Sequence, residues 1–385
     1  MKQFFKFMFA SMLGVFLSFF LLLVLFLMMV GALMSASTGE KTVTVAENSL
    51  LITRFDHPIP ERTPQTPFSL IGLSGIGING GTGLNDILAN IRKAELDPNI
   101  DGIYLELSDV PAGFATLEEI RNALLRFQKS GKPIIAYGEF YSQTAYYLAS
   151  VADKIYLHPE GSLDFGGLGS EVIFFTGLLE KLDIVPQVIR SGIYKSAMEP
   201  FTEKEMSPAS REQMSVLLED IYGHFLGAVG QDRDIPSDSL RLLADSLLIR
   251  QPADALRYGL VDGLKYKDEL LTELKALTSS QDENELNTIK LSDYSHVSVK
   301  EESRQGLPDK IAVIYASGEI ISGEGTDFIT GSDRLSSAIR KARRDGDIDA
   351  IVLRVNSPGG SALASDVIWR EMSLAKEEKP VVVSM

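Results

Sequence analysis

Residues 87–111, ILANIRKAELDPNIDGIYLELSDVP, return without a gap as residues 335–359, LSSAIRKARRDGDIDAIVLRVNSPG. Ile91, Arg92, Lys93 and Ala94 fall on Ile339, Arg340, Lys341 and Ala342, while Asp97, Ile100, Asp101, Ile103 and Leu105 fall on Asp345, Ile348, Asp349, Ile351 and Leu353. One residue of slippage later, Lys132-Pro133-Ile134-Ile135 meets Lys379-Pro380-Val381-Val382. A period of about 250 residues is too long for a solenoid, so the chain reads as two tandem copies of one domain, free to diverge in role. The second copy stops partway, at Met385.

Each copy alternates strand and helix. In the first, an apolar strand at 69–73 leads through a glycine-rich loop to a helix near 84–96, with Leu84, Ile87, Leu88 and Ile91 at helical spacing. A strand at 102–107, a helix near 116–129 (Leu117, Ile120, Leu124 and Phe127 on one face) and a strand at 133–137 follow. The order recurs at 311–315, 333–344, 350–355, 362–376 and 380–384. Strands and helices of this length in this order predict an α/β fold of parallel sheets with right-handed crossover helices. Further helices are expected between the copies at about 209–228 and 239–248.

Ahead of both copies, Phe7–Gly39 contains no charged residue and is long enough to cross the roughly 30 Å hydrocarbon layer of a bilayer. A secretory signal has an apolar region of only about 7–15 residues, which favours an uncleaved anchor, although Ser35-Ala36-Ser37 leaves a cleavage site open. Lys2 and Lys6 precede the span and place the N-terminus in the cytoplasm, with everything after about residue 40 outside. For a bacterium that means a single-pass inner-membrane protein with a periplasmic or extracellular body. The expected organisation is an anchor at 1–40, a tether at 41–66, a complete N-terminal domain at 67–277, a polar linker at 278–308 with room for one strand, and the first half of a C-terminal domain at 309–385.

The net charge is −15, and an acidic exported body is a poor partner for nucleic acid, which is held by neutralising phosphates. Without cysteine there are no disulfides, thiolate nucleophiles or thiolate metal sites, and the four histidines are scattered without metal-binding spacing, so no metal is expected. Gly75-Ile76-Gly77-Ile78-Asn79-Gly80 fits a dinucleotide fingerprint, but its counterpart ASGEIISGEGT has different glycine spacing, and it is read as a glycine loop.

More specific is Arg354-Val355-Asn356-Ser357-Pro358-Gly359-Gly360-Ser361, where a buried strand meets a helix. Consecutive glycine N–H groups at a helix N-terminus can hold a developing oxyanion. The alternative is a tight turn that merely joins strand to helix. In the first copy Pro111 falls on Gly359, and proline has no N–H to give. The other distinctive segment is Arg190-Ser191-Gly192-Ile193-Tyr194-Lys195-Ser196-Ala197-Met198-Glu199-Pro200-Phe201.

Strand–SPGGS–helix in a doubled domain behind one anchor, together with G-x-Y-K-S-A-x-E-P-F, resembles the long tandem form of the signal peptide peptidase A family. These are membrane-anchored serine proteases of peptidase family S49, in the Clp protease/crotonase superfamily. The resemblance implies Lys195 as general base and Gly359 and Gly360 as oxyanion donors. It also implies a nucleophilic serine just after the strand Val381–Met385, beyond the end of this chain, so that these 385 residues alone would be inactive. Gln143 aligns with that serine in the first copy; the adjacent Ser142 is a poor substitute, and Ser357 and Ser361 read as turn or capping residues. Further implied are hydrophobic signal peptides and other peptides as substrates, a homo-oligomer (a tetramer) facing the bilayer, and no cofactor. Two other readings stay open: a crotonase-type acyl-CoA enzyme on the same fold, and a non-catalytic membrane scaffold.

Overall fold

The computed structural model describes residues 2–37, 44–64, 81–278, 286–297 and 309–385. The strand expected at 69–73, the Gly75–Gly80 loop and much of the 278–308 segment lie outside these residues. The N-terminal helix spans Lys2–Ser37, and its stretch Gln3–Phe26 has a mean hydropathy of 2.6. Twenty-four helical residues at 1.5 Å each cover about 36 Å, enough to cross a bilayer's hydrocarbon layer, so this helix fits a membrane anchor.

The body divides into two compact units, Val45–Ile59 with Ile87–Tyr294, and Pro60–Asp86 with Ser295–Met385 and the N-terminal segment. We call them the first-copy and second-copy units. The first holds a six-stranded parallel sheet of β1 (Ser49–Thr53), β2 (Ile100–Glu106), β3 (Ile134–Tyr141), β4 (Lys154–Leu163), β5 (Gly263–Leu264) and β6 (Thr288–Lys290), in the order β5-β4-β3-β2-β1-β6. One face is lined by the helices Leu84–Leu96 and Phe114–Gln128, whose Ile87, Ile91, Leu117, Ile120, Leu124 and Phe127 are buried. The other face carries Leu50, Tyr104, Ile135, Tyr137 and Tyr156, packed by Leu270 and Leu274 of the helix Lys267–Leu277.

Here the structure departs from the expected tether. Ser49–Thr53 is a buried strand paired along β2, with Leu50 opposite Gly102 and Ile52 opposite Tyr104. Its apolar run, Leu50-Leu51-Ile52, is short and enclosed by polar and proline-bearing sequence, which hides the strand from a periodicity reading. The strand inside the expected linker is β6, and it pairs with the outer edge of β1. β4 and the helix Gln143–Ala149 are elements the sequence reading left unassigned.

The second-copy unit repeats the first half of that plan. Strands β7 (Ile311–Ser317), β10 (Ala350–Asn356) and β11 (Val381–Ser384) form a parallel sheet in the order β11-β10-β7, with the small pair β8 (Ile320–Ile321) and β9 (Thr330–Gly331) beside it. Its core packs Ala316, Ile351 and Leu353 against Leu335, Ile339, Ile368 and Ala375 of the helices Ser332–Arg344 and Ala362–Glu378. The repeated Lys-Pro pair has a mechanical explanation. Lys132 donates to the carbonyls of Ala94 (2.8 Å) and Asp97 (2.7 Å) at the end of one helix, and Lys379 donates to those of the matching Ala342 and Asp345. A cation on the orphan carbonyls at a helix C-terminus satisfies them and suits the helix dipole. The proline after it accepts from the neighbouring strand in both copies, from Ile103 N–H and from Ile351 N–H, each at 3.0 Å.

Candidate active site

The two sequence motifs fall in different units, and each is described within its own. At the end of β10 the chain turns through Ser357-Pro358-Gly359-Gly360 into the helix Ala362–Glu378. Gly359 has φ +102°, in the region where a side chain is strained. Gly360 is needed for a different reason: a Cβ there would lie 2.1 Å from the Ile320 carbonyl oxygen. That close approach is a backbone clasp, in which Ile320 N–H donates to Gly359 O (2.9 Å) and Ser361 N–H donates to Ile320 O (2.8 Å). The Ser361 hydroxyl caps the helix by accepting from Ala364 N–H (3.3 Å). The Gly359 N–H donates to Ser357 Oγ (3.1 Å), whereas the exposed Gly360 N–H finds no acceptor among the described residues. A turn of this kind, opening a 17-residue helix, presents backbone donors where negative charge is favoured.

The root of the turn is tied down from a place sequence reasoning missed. Glu61 accepts from Asn356 Nδ2 (3.1 Å) and pairs with Arg354 Nε (3.2 Å). It lies in the segment read as tether, and no motif marks it. Glu61, Asn356 and Pro358 also wall a cavity of about 580 Å³ together with Tyr315, Phe328 and Leu335, a mixed apolar and polar lining suited to a side chain or small ligand.

The first-copy counterpart of the turn lacks the two glycine donors. Pro111 has no N–H, and Ala112 N–H donates to Val110 O (2.8 Å). The nearby Ser142 hydroxyl is the N-cap of Gln143–Ala149, accepting from Ala145 N–H at 3.2 Å. Gln143 is held in a reciprocal pair with the Gly167 backbone: its Nε2 donates to Gly167 O (2.6 Å), and its Oε1 accepts from Gly167 N–H (3.1 Å).

Lys195 sits in the loop between the short helices Thr176–Lys181 and Glu199–Thr202 of the first-copy unit. The second half of its motif is anchored. Glu199, only 2% exposed, accepts from Ser207 Oγ (2.7 Å) and Ser207 N–H (3.2 Å) and pairs with Arg190 (3.5 Å). The Ser207 hydroxyl bond above all holds the Glu199 carboxyl below its usual range, against the opposing effect of burial. Phe201 stacks on Phe175 with ring centres 5.8 Å apart, and Phe175 N–H donates to Pro200 O (2.7 Å). The first half is open: Gly192 turns at φ +93°, Ile193 and Tyr194 are exposed, and exposed Lys195 makes no hydrogen bond or ion pair with a described residue.

Comparison with known proteins bears on both motifs. Residues 126–281 match the profile described as "Peptidase family S49", a stretch that includes Lys195. The chain is 35% identical over 375 residues to "Protease 4" of Haemophilus influenzae, covering 93% of this chain and 60% of that protein. It is 38% identical over 384 residues to "Protease 4" of Salmonella typhi (95% and 60%), and 34% identical over 313 residues to "Serine protease SPPA, chloroplastic" of Arabidopsis thaliana (80% and 46%). The chain thus spans about 60% of the length of the two bacterial relatives, and its alignment with them runs through both copies.

Proposed function

We infer that this chain belongs to peptidase family S49, and from that premise propose that it is part of a membrane-anchored serine endopeptidase working through a Ser-Lys pair, with Lys195 as the base and Gly359 and Gly360 as oxyanion donors. The observation that carries the reading is the glycine turn at the end of β10, fixed by the Ile320 clasp, with the Gly360 N–H left without an acceptor among the described residues. Relatives named as proteases, and a family match over a stretch that includes Lys195, support it.

In this scheme the neutral Lys195 amine takes the proton of a serine hydroxyl as its oxygen attacks the peptide carbonyl. The carbonyl oxygen becomes an oxyanion and receives the glycine N–H groups, Gly359 exchanging its bond to Ser357 for the stronger charged acceptor. The protonated lysine then gives its proton to the leaving amide nitrogen, so base and acid are one group. A free lysine has a pKa of about 10.4, so such a role requires the exposed amine to be covered when substrate or a neighbouring chain docks against it. Ser142, Ser357 and Ser361 are engaged in capping or turn hydrogen bonds, and none is proposed as the nucleophile. We further propose apolar peptides, signal peptides among them, as substrates, an oligomer of like chains as the working form, and a body outside the inner membrane behind a cytoplasmic N-terminus.

Replacement of Lys195 by Arg tests the scheme, since it keeps the positive charge but cannot deprotonate near neutrality. Hydrolysis of an apolar fluorogenic peptide by the whole membrane-bound protein of which this chain is part should fall by about 10² or more with the fold intact. Near-normal turnover would place the base elsewhere.

A further inference from the structure

We propose that Glu61 is a positioning residue for the Asn356–Gly360 turn, its buried carboxylate fixing the direction in which the chain leaves β10. That this turn serves an oxyanion rests on the function proposed above; that Glu61 holds it does not.

Residues Arg354 and Asn356 are two apart on β10, so both point to the sheet face opposite Leu353 and Val355, which pack into the core. A single carboxylate engages both: Oε2 faces Arg354 Nε at 3.2 Å and Oε1 accepts from Asn356 Nδ2 at 3.1 Å. Glu61 is 8% exposed, and a carboxylate so buried persists only with such partners. Its own backbone cannot swing. Pro60 O accepts from Leu84 N–H (2.8 Å), Gly83 N–H donates to Thr63 Oγ1 (2.8 Å), and the Arg62 guanidinium lies over the Tyr315 ring at 5.6 Å. The clamp therefore joins a fixed point to the last two polar residues before the turn.

The first copy supplies the control. At the position matching Arg354 stands Glu106, which accepts from Arg54 Nε (2.8 Å) and Lys267 Nζ (2.6 Å). The ion pair is kept with its polarity reversed, so the position calls for a fixed charge pair and not for one residue type. The burial differs: the Glu106 and Arg54 side chains are 24% and 56% exposed, against 7% and 21% for Glu61 and Arg354. The buried version accompanies the turn that keeps its glycine donors, and the exposed version accompanies the turn that has lost them to Pro111.

Amide hydrogen exchange on the full chain in detergent micelles tests this without requiring catalysis. The informative amides are Gly318, Ile320 and Ser361, whose acceptors are Asn356 O, Gly359 O and Ile320 O. Glu61→Ala should speed their exchange at least about tenfold, the scale of one charge-assisted hydrogen bond, while the helix Ser332–Arg344 and strands β3 and β4 keep wild-type rates. Glu61→Gln keeps an acceptor for Asn356 but not the charge, and should give a smaller acceleration at the same three amides; it decides the matter should the alanine variant fold poorly. The double exchange Glu61→Lys with Arg354→Glu, which copies the polarity of the first copy, should recover protection. Wild-type exchange at these amides in the alanine and glutamine variants overturns the proposal, as does acceleration spread evenly over the second-copy unit. Peptide hydrolysis is read separately, in the whole protein of which this chain is part: kcat should fall with KM held, and an inactive whole protein would count against the proposed function while leaving the exchange result to stand.

Discussion

The two glycines of the β10 turn look interchangeable in sequence and should respond very differently to alanine. At Gly359 a Cβ meets nothing within 4 Å, so the cost is that of a side chain at φ +102°, about 1–3 kcal/mol. At Gly360, with φ +157°, a backbone penalty of similar size applies, but the Cβ would also sit 2.1 Å from Ile320 O and 2.7 Å from Ile320 N. These are backbone atoms with no rotamer to retreat into, so the clasp must open and forfeit hydrogen bonds of 2.9 and 2.8 Å. At about 0.5–1.5 kcal/mol for each bond, Gly360→Ala should cost about 2–6 kcal/mol in all. Trp369 is the sole tryptophan and lies 61% exposed on the helix that follows the turn, so its fluorescence reports the unfolding of this unit. In urea titrations of the full chain, Gly360→Ala should shift the midpoint down by clearly more than Gly359→Ala, with similar slopes. Equal midpoints for the two variants would refute the clasp argument.

Removing either capping lysine should have the same local effect in its own copy. Lys132→Met and Lys379→Met should each cost about 1–2 kcal/mol, read as faster amide exchange in the last turns of Leu84–Leu96 and Ser332–Arg344 respectively; an effect in one copy alone would show that the repeated pair is not a common device. Because the folded Glu199 carboxyl titrates below its unfolded value, its contribution to stability is present above the ordinary carboxylate range and is lost as the pH falls through the folded value. Wild type should therefore exceed Glu199→Gln in denaturant midpoint by far-UV circular dichroism near neutrality, with the gap closing in acid; a gap that does not change with pH would show that the carboxylate charge contributes nothing.

The parts of the fold legible in the sequence were those whose apolar period and length agree. The helices expected near 84–96 and 333–344 are found at Leu84–Leu96 and Ser332–Arg344, and the strand at 350–355 is Ala350–Asn356. β1 was hidden because three apolar residues between polar neighbours carry no period, and its place in the sheet is decided by β2 and β6, which arrive about 50 and 240 residues later. The glycine turn was visible because its residues are special types in fixed order. Glu61 was not, because its importance comes from a tertiary meeting with β10, and an isolated glutamate after a proline looks like any solvated charge.

The division of the chain into units has a consequence for synthesis. Residues Pro60–Asp86 belong with Ser295–Met385, while the intervening sequence builds the other unit. On a ribosome adding roughly 5–20 residues per second, Glu61 must wait on the order of 15–60 s before Arg354 and Asn356 emerge to meet it. Meanwhile β6, the last strand of the first-copy sheet, has already been made. The order of emergence lets the first-copy unit close while a short strip of the second-copy unit waits within the sequence, open in that interval to chaperones or to β10 of another nascent chain.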